Sequence, residues 1–165
     1  MKTTYGKVSL SDNALDAIHL FRNLDPSERR GIVRLCEGRL YAKNRHVIAH
    51  GDGDGDVFFI VSGLIQAIVR SSSGHRLSTQ LLGSGETFGE LAALDRKGRS
   101  ASVVTMEEAL IARISESNFL KLLNTHPSIA VQLLTRLGKL VRFLCSRISE
   151  LSPKREQASL QEMLP

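Results

Sequence analysis

Between Arg39 and Ile114 the chain is interrupted about every ten residues by glycine or small polar clusters, at Gly51–Gly55, Gly63, Ser71–Gly74 and Gly83–Gly85. The runs between them are short and rich in valine, isoleucine and phenylalanine, as in Val57-Phe-Phe-Ile-Val61. A succession of short apolar runs joined by tight turns predicts an antiparallel sandwich or jelly roll. The flanks have a different period. Asn13–Phe21 and Pro26–Cys36 carry helical spacing, with Pro26 suited to a first helical turn after Asp25. Ser128–Leu151 reads as one long helix. The order is therefore helix, strands, helix. At 165 residues, 42% of them hydrophobic, the chain can build one core with a helical appendage. That core is mostly aliphatic, because there is no tryptophan.

One insertion breaks the strand pattern. Phe88-Gly-Glu-Leu-Ala-Ala-Leu-Asp-Arg-Lys-Gly-Arg-Ser-Ala-Ser-Val103 predicts a short helix over Glu90–Leu94 and then a return to strand. An acid, Glu90, and a base, Arg99, stand at its two ends, beside Gly89 and Gly98 and among Ala92, Ala93, Ser100 and Ala101. Turn chemistry accounts for Gly63 and Gly74 but not for this pair. An arginine offers a phosphate a planar fork of donors, and backbone N–H groups add to it. A carboxylate accepts from a ribose hydroxyl. Small residues let the backbone approach a ligand closely.

These residues carry a family resemblance. FGELA, followed by Arg99-Ser-Ala-Ser-Val nine positions after Glu90, resembles the phosphate-binding cassette of cyclic-nucleotide-binding domains. The resemblance runs from about Leu20 to about Leu151, and is strongest to the sensory half of bacterial Crp/Fnr-type transcription regulators. It implies a mainly β fold with flanking helices: an antiparallel β jelly roll (double-stranded β-helix) plus a long C-terminal dimerisation helix. By the resemblance, Glu90 accepts from the ribose 2′-hydroxyl and Arg99 pairs with the cyclic phosphate. Ser100 adds a hydroxyl, and Phe88, Gly89, Leu91, Ala92 and Ala101 line the pocket. The cassette is common to 3′,5′-cyclic purine nucleotides, so it identifies the class and not the base. In cAMP-binding members a threonine–serine pair on the long helix reaches the adenine. An ungapped reading from Pro127 puts Leu144 and Cys145 there, which removes the threonine hydrogen bond and leaves apolar contact from Leu82 and Leu144. Cyclic AMP is favoured over cyclic GMP as the commoner ligand of the family.

Along the last helix Ala130, Leu134, Leu137, Val141, Leu144, Ile148 and Leu151 alternate at four and three, a heptad seam. Ile129, Leu133, Leu140 and Phe143 form a second stripe beside it. Two apolar faces predict two packing partners: the β-roll for one and a twin helix for the other. The alternative is one broad amphipathic face on a monomer. Gly138 costs about 1 kcal/mol against alanine at mid-helix and marks a close approach or a bend. The expected division is a β-roll with N-terminal helices over residues 1–127, a homodimer helix over 128–151 and a polar tail over 152–165.

Other chemistry is weakly represented. Asp52-Gly-Asp54-Gly-Asp56 starts like a calcium loop, but Val57 and Gly63 stand where glycine and glutamate are needed, so a turn is expected. The five histidines are scattered, and the two cysteines are too few for an iron–sulfur cluster. Cys36 reads as a core thiol. Neither a Walker sequence nor a nucleophile elbow is present, and the metal-binding histidines of a cupin enzyme are not visible. The expectation is a non-enzymatic binder with no metal and no cofactor besides its nucleotide. The N-terminus lacks a secretory apolar stretch and no run is long enough to span a bilayer, so the cytoplasm is expected. The net charge of +5 is in part a basic cluster, Arg136, Lys139, Arg142 and Arg147, for which a solvated face is the usual role. Family regulators continue into a helix-turn-helix domain, and no such motif follows the long helix here. Contact with DNA is expected only if such a domain exists. The alternative is a stand-alone cyclic-nucleotide sensor acting on a protein partner.

Overall fold

The structure, a computed structural model, describes residues 5–70 and 76–151. The turn expected over Ser71–Gly74 and the tail expected over 152–165 lie outside the described residues. The strands are β1 (Gly6–Val8), β2 (Cys36–Tyr41), β3 (His46–Ile48), β4 (Val57–Ser62), β5 (Ile65–Arg70), β6 (Arg76–Leu82), β7 (Thr87–Phe88), β8 (Ser102–Thr105) and β9 (Ala109–Ile114). The helices are α1 (Pro26–Val33), α2 (Glu90–Asp95), α3 (Glu116–Thr125) and α4 (Pro127–Leu151). Two antiparallel sheets form, in the orders β1-β2-β9-β4-β7 and β3-β8-β5-β6. This is the expected jelly-roll pattern.

Strand β4 shows why the sheets enclose a core. Side chains alternate across a strand, and Val57-Phe58-Phe59-Ile60 is apolar at every position, so both faces are buried. Phe58 and Ile60 join Tyr41, Ile65, Leu82, Phe88, Val103 and Ile111, residues of both sheets, in one cluster between them. Phe59 faces the other way and meets Phe21 edge-on, with ring centroids 4.9 Å apart. Full burial of a side chain of this kind stabilises by about 1.5–3 kcal/mol.

Two expectations about the N-terminal region are corrected. Asn13–Phe21 is not an α-helix but a series of three-residue turns ending in a 3-10 turn over His19–Phe21. The N–H groups of Ile18, Phe21 and Leu24 each donate three residues back, to Leu15, Ile18 and Phe21. Those four buried residues recur every third position, which matches a 3-10 period better than an α-helical one. The second correction concerns α1, which ends at Val33, so that Cys36 opens strand β2 opposite Ile114. Cys36 is half-buried, and loss of water pushes its thiol up to about 12. The start of α1 follows its sequence signal. Asp25 caps it through Ser27 and Glu28, Glu28 returns a bond to the Asp25 N–H at 2.9 Å, and Pro26 takes the first position.

The chain divides into two compact units between Ile129 and Ala130. Helix α4 runs through the divide as one element of 25 residues. Among the described residues, no helix is long and apolar enough to cross a membrane.

Candidate functional site

The candidate site is the excursion between β7 and β8. Its first residue, Gly89, has φ +85 and stands at the N-terminal end of α2. A side chain here would be strained by that backbone and would also meet Arg99 Nη1 at 2.8 Å and Phe58 Cδ2 at 3.2 Å. Glycine at position 89 thus lets the guanidinium lie against the backbone. Helix α2 begins with Glu90, which is buried, as are Ala92 and Ala93, whereas Leu91 and Leu94 are exposed. Leu91 can therefore contribute its backbone rather than its side chain. The helix stops at Arg96, in the left-handed region at φ 55, whose N–H returns to the Ala92 carbonyl.

The return arm is tied to the loop before β4. The Arg99 N–H donates to the Asp52 carbonyl at 2.9 Å, and the Gly51 N–H donates to the Arg99 carbonyl at 3.0 Å. The His50 N–H donates to Ser102 Oγ at 3.0 Å. This short ladder places Arg99 beneath the excursion, where it is among the largest fully buried side chains.

Burying a guanidinium is costly unless its donors and charge are met. Arg99 Nη1 donates to the Gly89 carbonyl at 3.0 Å, and Nη2 forms an ion pair with Asp54 Oδ1. Its carbon centre lies 5.5 Å from the centroid of the Phe58 ring, within cation–π range, and that ring stacks on Phe88 at 5.0 Å. Nε has no hydrogen-bond partner among the described residues. A buried donor left open on a cation is a place for an anion's oxygen.

Gly89, Glu90, Leu91, Ala92, Arg99, Ser100 and Ala101 fall in this one excursion and Phe88 ends β7 directly before it, with Ser100 exposed and Ala101 half-buried. Leu82 joins them through the apolar cluster that contains Phe58 and Phe88. Leu144 and Cys145 lie on α4, in the other compact unit, and both are exposed. Sequence reading missed Asp54 and Phe58. Asp52–Asp56 does form a connection between β3 and β4, as expected, yet it also supplies the carboxylate on Arg99. The available signal was the alternation of aspartate with glycine, which put three acids in one connection without saying which cation they meet. Asp56 likewise pairs with Arg113 of β9, whose Nε donates to Asp56 Oδ2 at 2.5 Å.

Comparisons with known proteins identify the family. The family model of the cyclic nucleotide-binding domain matches residues 38–126. The chain is similar to the cyclic AMP receptor protein of Thermus thermophilus, 29% identical over 74% of this chain and 57% of that protein. It is also similar to the cAMP-dependent protein kinase regulatory subunit of Neurospora crassa, 29% identical over 78% of this chain and 33% of that one. Among solved structures, Thermus thermophilus catabolite activator protein superposes with a TM-score of 0.74 at 28% identity, covering 81% of this chain and 62% of that one. The chain thus spans less than two thirds of the length of these relatives.

Proposed function

The chain belongs to the cyclic nucleotide-binding domain family, and from that premise we propose that it binds a 3′,5′-cyclic mononucleotide at the Glu90–Arg99 excursion. Cyclic AMP is preferred to cyclic GMP, and the domain is the sensory part of a cytoplasmic Crp/Fnr-type transcription regulator. The observation that supports this most is the buried Arg99 guanidinium with an open Nε. The phosphate pairs with that guanidinium, and the Glu90 carboxylate accepts from the ribose 2′-hydroxyl. Backbone N–H groups near Gly89, Leu91, Ser100 and Ala101 complete the phosphate seat, while the apolar surface of Phe88, Ala92 and Leu82 faces the sugar and base. Leu144 and Cys145 keep the base-recognition role that the resemblance gives them. No bond is made or broken, and the chemistry is recognition alone.

Signalling runs through α4. Leu134, Val141, Leu144 and Ile148 are exposed at heptad spacing, as expected of a helix that pairs with the same helix of a second copy over Ala130–Leu151. A ligand shifts a conformational equilibrium only by its differential affinity for the two states, so the nucleotide must be bound more tightly in one arrangement of α4 than in the other. A second reading is a sensor that regulates a protein partner, favoured by the similarity to a kinase regulatory subunit.

A thermal-shift series with cAMP, cGMP, AMP and a cyclic dinucleotide tests the binding. A ligand at one hundred times its dissociation constant stabilises by about 2.7 kcal/mol. Stabilisation by cAMP, less by cGMP and none by AMP is the expected order. No response to either cyclic mononucleotide overturns the reading.

A further inference from the structure

Arg99 already holds an anion, and that anion comes from the chain itself. The Asp54 carboxylate sits on Nη2, so one cation and one acid are matched before any ligand arrives. A cyclic phosphate carries one negative charge. Seated on the same guanidinium, it would leave two anions on one buried cation. Like charges brought together out of water repel strongly, and one of them is expected to leave. The two protein partners differ in their ability to move: the Arg99 side chain is 1% exposed and the Asp54 side chain 49%. Rotation of Asp54 gives up that ion pair and a long bond of 3.3 Å accepted from the Asp56 N–H, and returns the carboxylate to water, whereas Arg99 is held by Gly89, Phe58 and the ladder to Gly51 and Asp52.

The segment around Asp54 is built to allow that rotation. A Cβ on Gly53 would meet nothing within 4 Å, and its φ lies outside the left-handed region, so neither packing nor backbone conformation demands a glycine there. What glycine adds at that position is freedom. Gly55, next in line, lies against Glu116 at the start of α3, since a Cβ there would come within 2.8 Å of the Glu116 Cδ. Movement of Asp54 therefore adjoins a helix outside the pocket.

We infer that Asp54 occupies Nη2, the donor a phosphate would take together with the open Nε, so that the nucleotide must displace it, and that it sets the ligand affinity. This rests on the proposed cyclic-nucleotide binding. Removing the carboxylate destabilises the empty protein and leaves the filled one almost unchanged, so the nucleotide binds more tightly. A residue that merely supported Arg99 in the filled state would have the opposite sign.

Calorimetric titration with cAMP and thermal unfolding are compared for the unmodified chain and for Asp54→Asn and Asp54→Glu. Asp54→Asn is expected to bind cAMP about tenfold more tightly, equivalent to about 1.4 kcal/mol. Its melting temperature falls without cAMP and meets that of the unmodified chain at saturation. Asp54→Glu, which keeps the charge, stays within about threefold of the unmodified affinity, equivalent to about 0.7 kcal/mol. Equal or weaker binding by Asp54→Asn, with the unmodified chain binding normally, overturns this inference alone. Absence of cAMP binding in all three proteins overturns the functional reading, and this inference with it. A measurement without any substitution guards against a variant that does not fold. The Asp54 carboxyl carbon resonance of the unmodified chain should move toward that of a solvated aspartate on saturation with cAMP, and an unmoved resonance counts against displacement.

Discussion

Arg99 in the β-roll is 2% exposed, and Leu134 on α4 is 67% exposed. The two residues occupy each other's ordinary environments, since guanidinium groups are seldom fully buried and large aliphatic side chains usually are. In the β-roll the anomaly is local and partly compensated. A carbonyl, a carboxylate and an aromatic face meet the charge, and one donor stays open. Along α4 it is repeated at Val141, Phe143, Leu144 and Ile148. The first region calls for one small anion at one atom, and the second for an extended apolar surface. An open donor deep in a fold specifies a ligand's chemistry, whereas a row of exposed leucines specifies only the apolarity and periodicity of what covers it.

The sharpest way to break the first half of this contrast is Arg99→Ala. It removes the buried charge and leaves Asp54 and any phosphate without a cation. Cyclic AMP affinity should fall by about 3–5 kcal/mol, which calorimetry reads as loss of detectable binding. Undiminished titration would remove Arg99 from the site.

The second half is tested on the helix. Leu137→Glu puts a charge in the heptad seam, where pairing with a twin helix would bury it, at a cost of several kcal/mol. Light scattering should show a dimer for the unmodified chain and a monomer for the variant, with cAMP binding retained. A monomeric unmodified chain would leave the exposed face of α4 without its proposed partner.

Glu90→Gln probes the other end of the excursion with a smaller expected effect. It keeps the shape but loses the charge-assisted acceptor, a difference of about 1.5–3 kcal/mol. Discrimination against 2′-deoxy cAMP should shrink in the variant. Equal affinity of the unmodified protein for both sugars would rule out a ribose contact.

The mildest test compares one cysteine from each region. Cys36, pushed up to about 12 by burial, remains a protonated thiol at pH 8, where only on the order of 10⁻⁴ of it is thiolate. Cys145 is exposed on α4. A disulfide reagent at pH 8 should therefore label Cys145 first and Cys36 only on unfolding. Fast labelling of Cys36 in the native protein would show that β2 opens readily.

Much of this molecule is legible in local sequence. Turn residues at regular spacing predict a two-sheet β-roll, because each turn depends on a few adjacent residues. Asp25-Pro26 with Glu28 announces the start of α1 for the same reason, and FGELA with Arg99 nine positions after Glu90 marks the cassette. The N-terminal turns were misread because residues at a spacing of three mimic one face of a helix until hydrogen bonds and burial show otherwise.

The sequence by itself determined the strand pattern, the long amphipathic helix and the identity of the acid and base that bracket the excursion. Each is written in neighbouring residues whose conformations bias one another directly. Only the tertiary structure decided that Arg99 would be buried over Phe58 and would pair with Asp54, 45 positions away. That choice depends on β4 and the loop before it folding beneath the cassette. Once water is excluded there, a distant carboxylate in one of several similar aspartates becomes the partner, and no local pattern can say which.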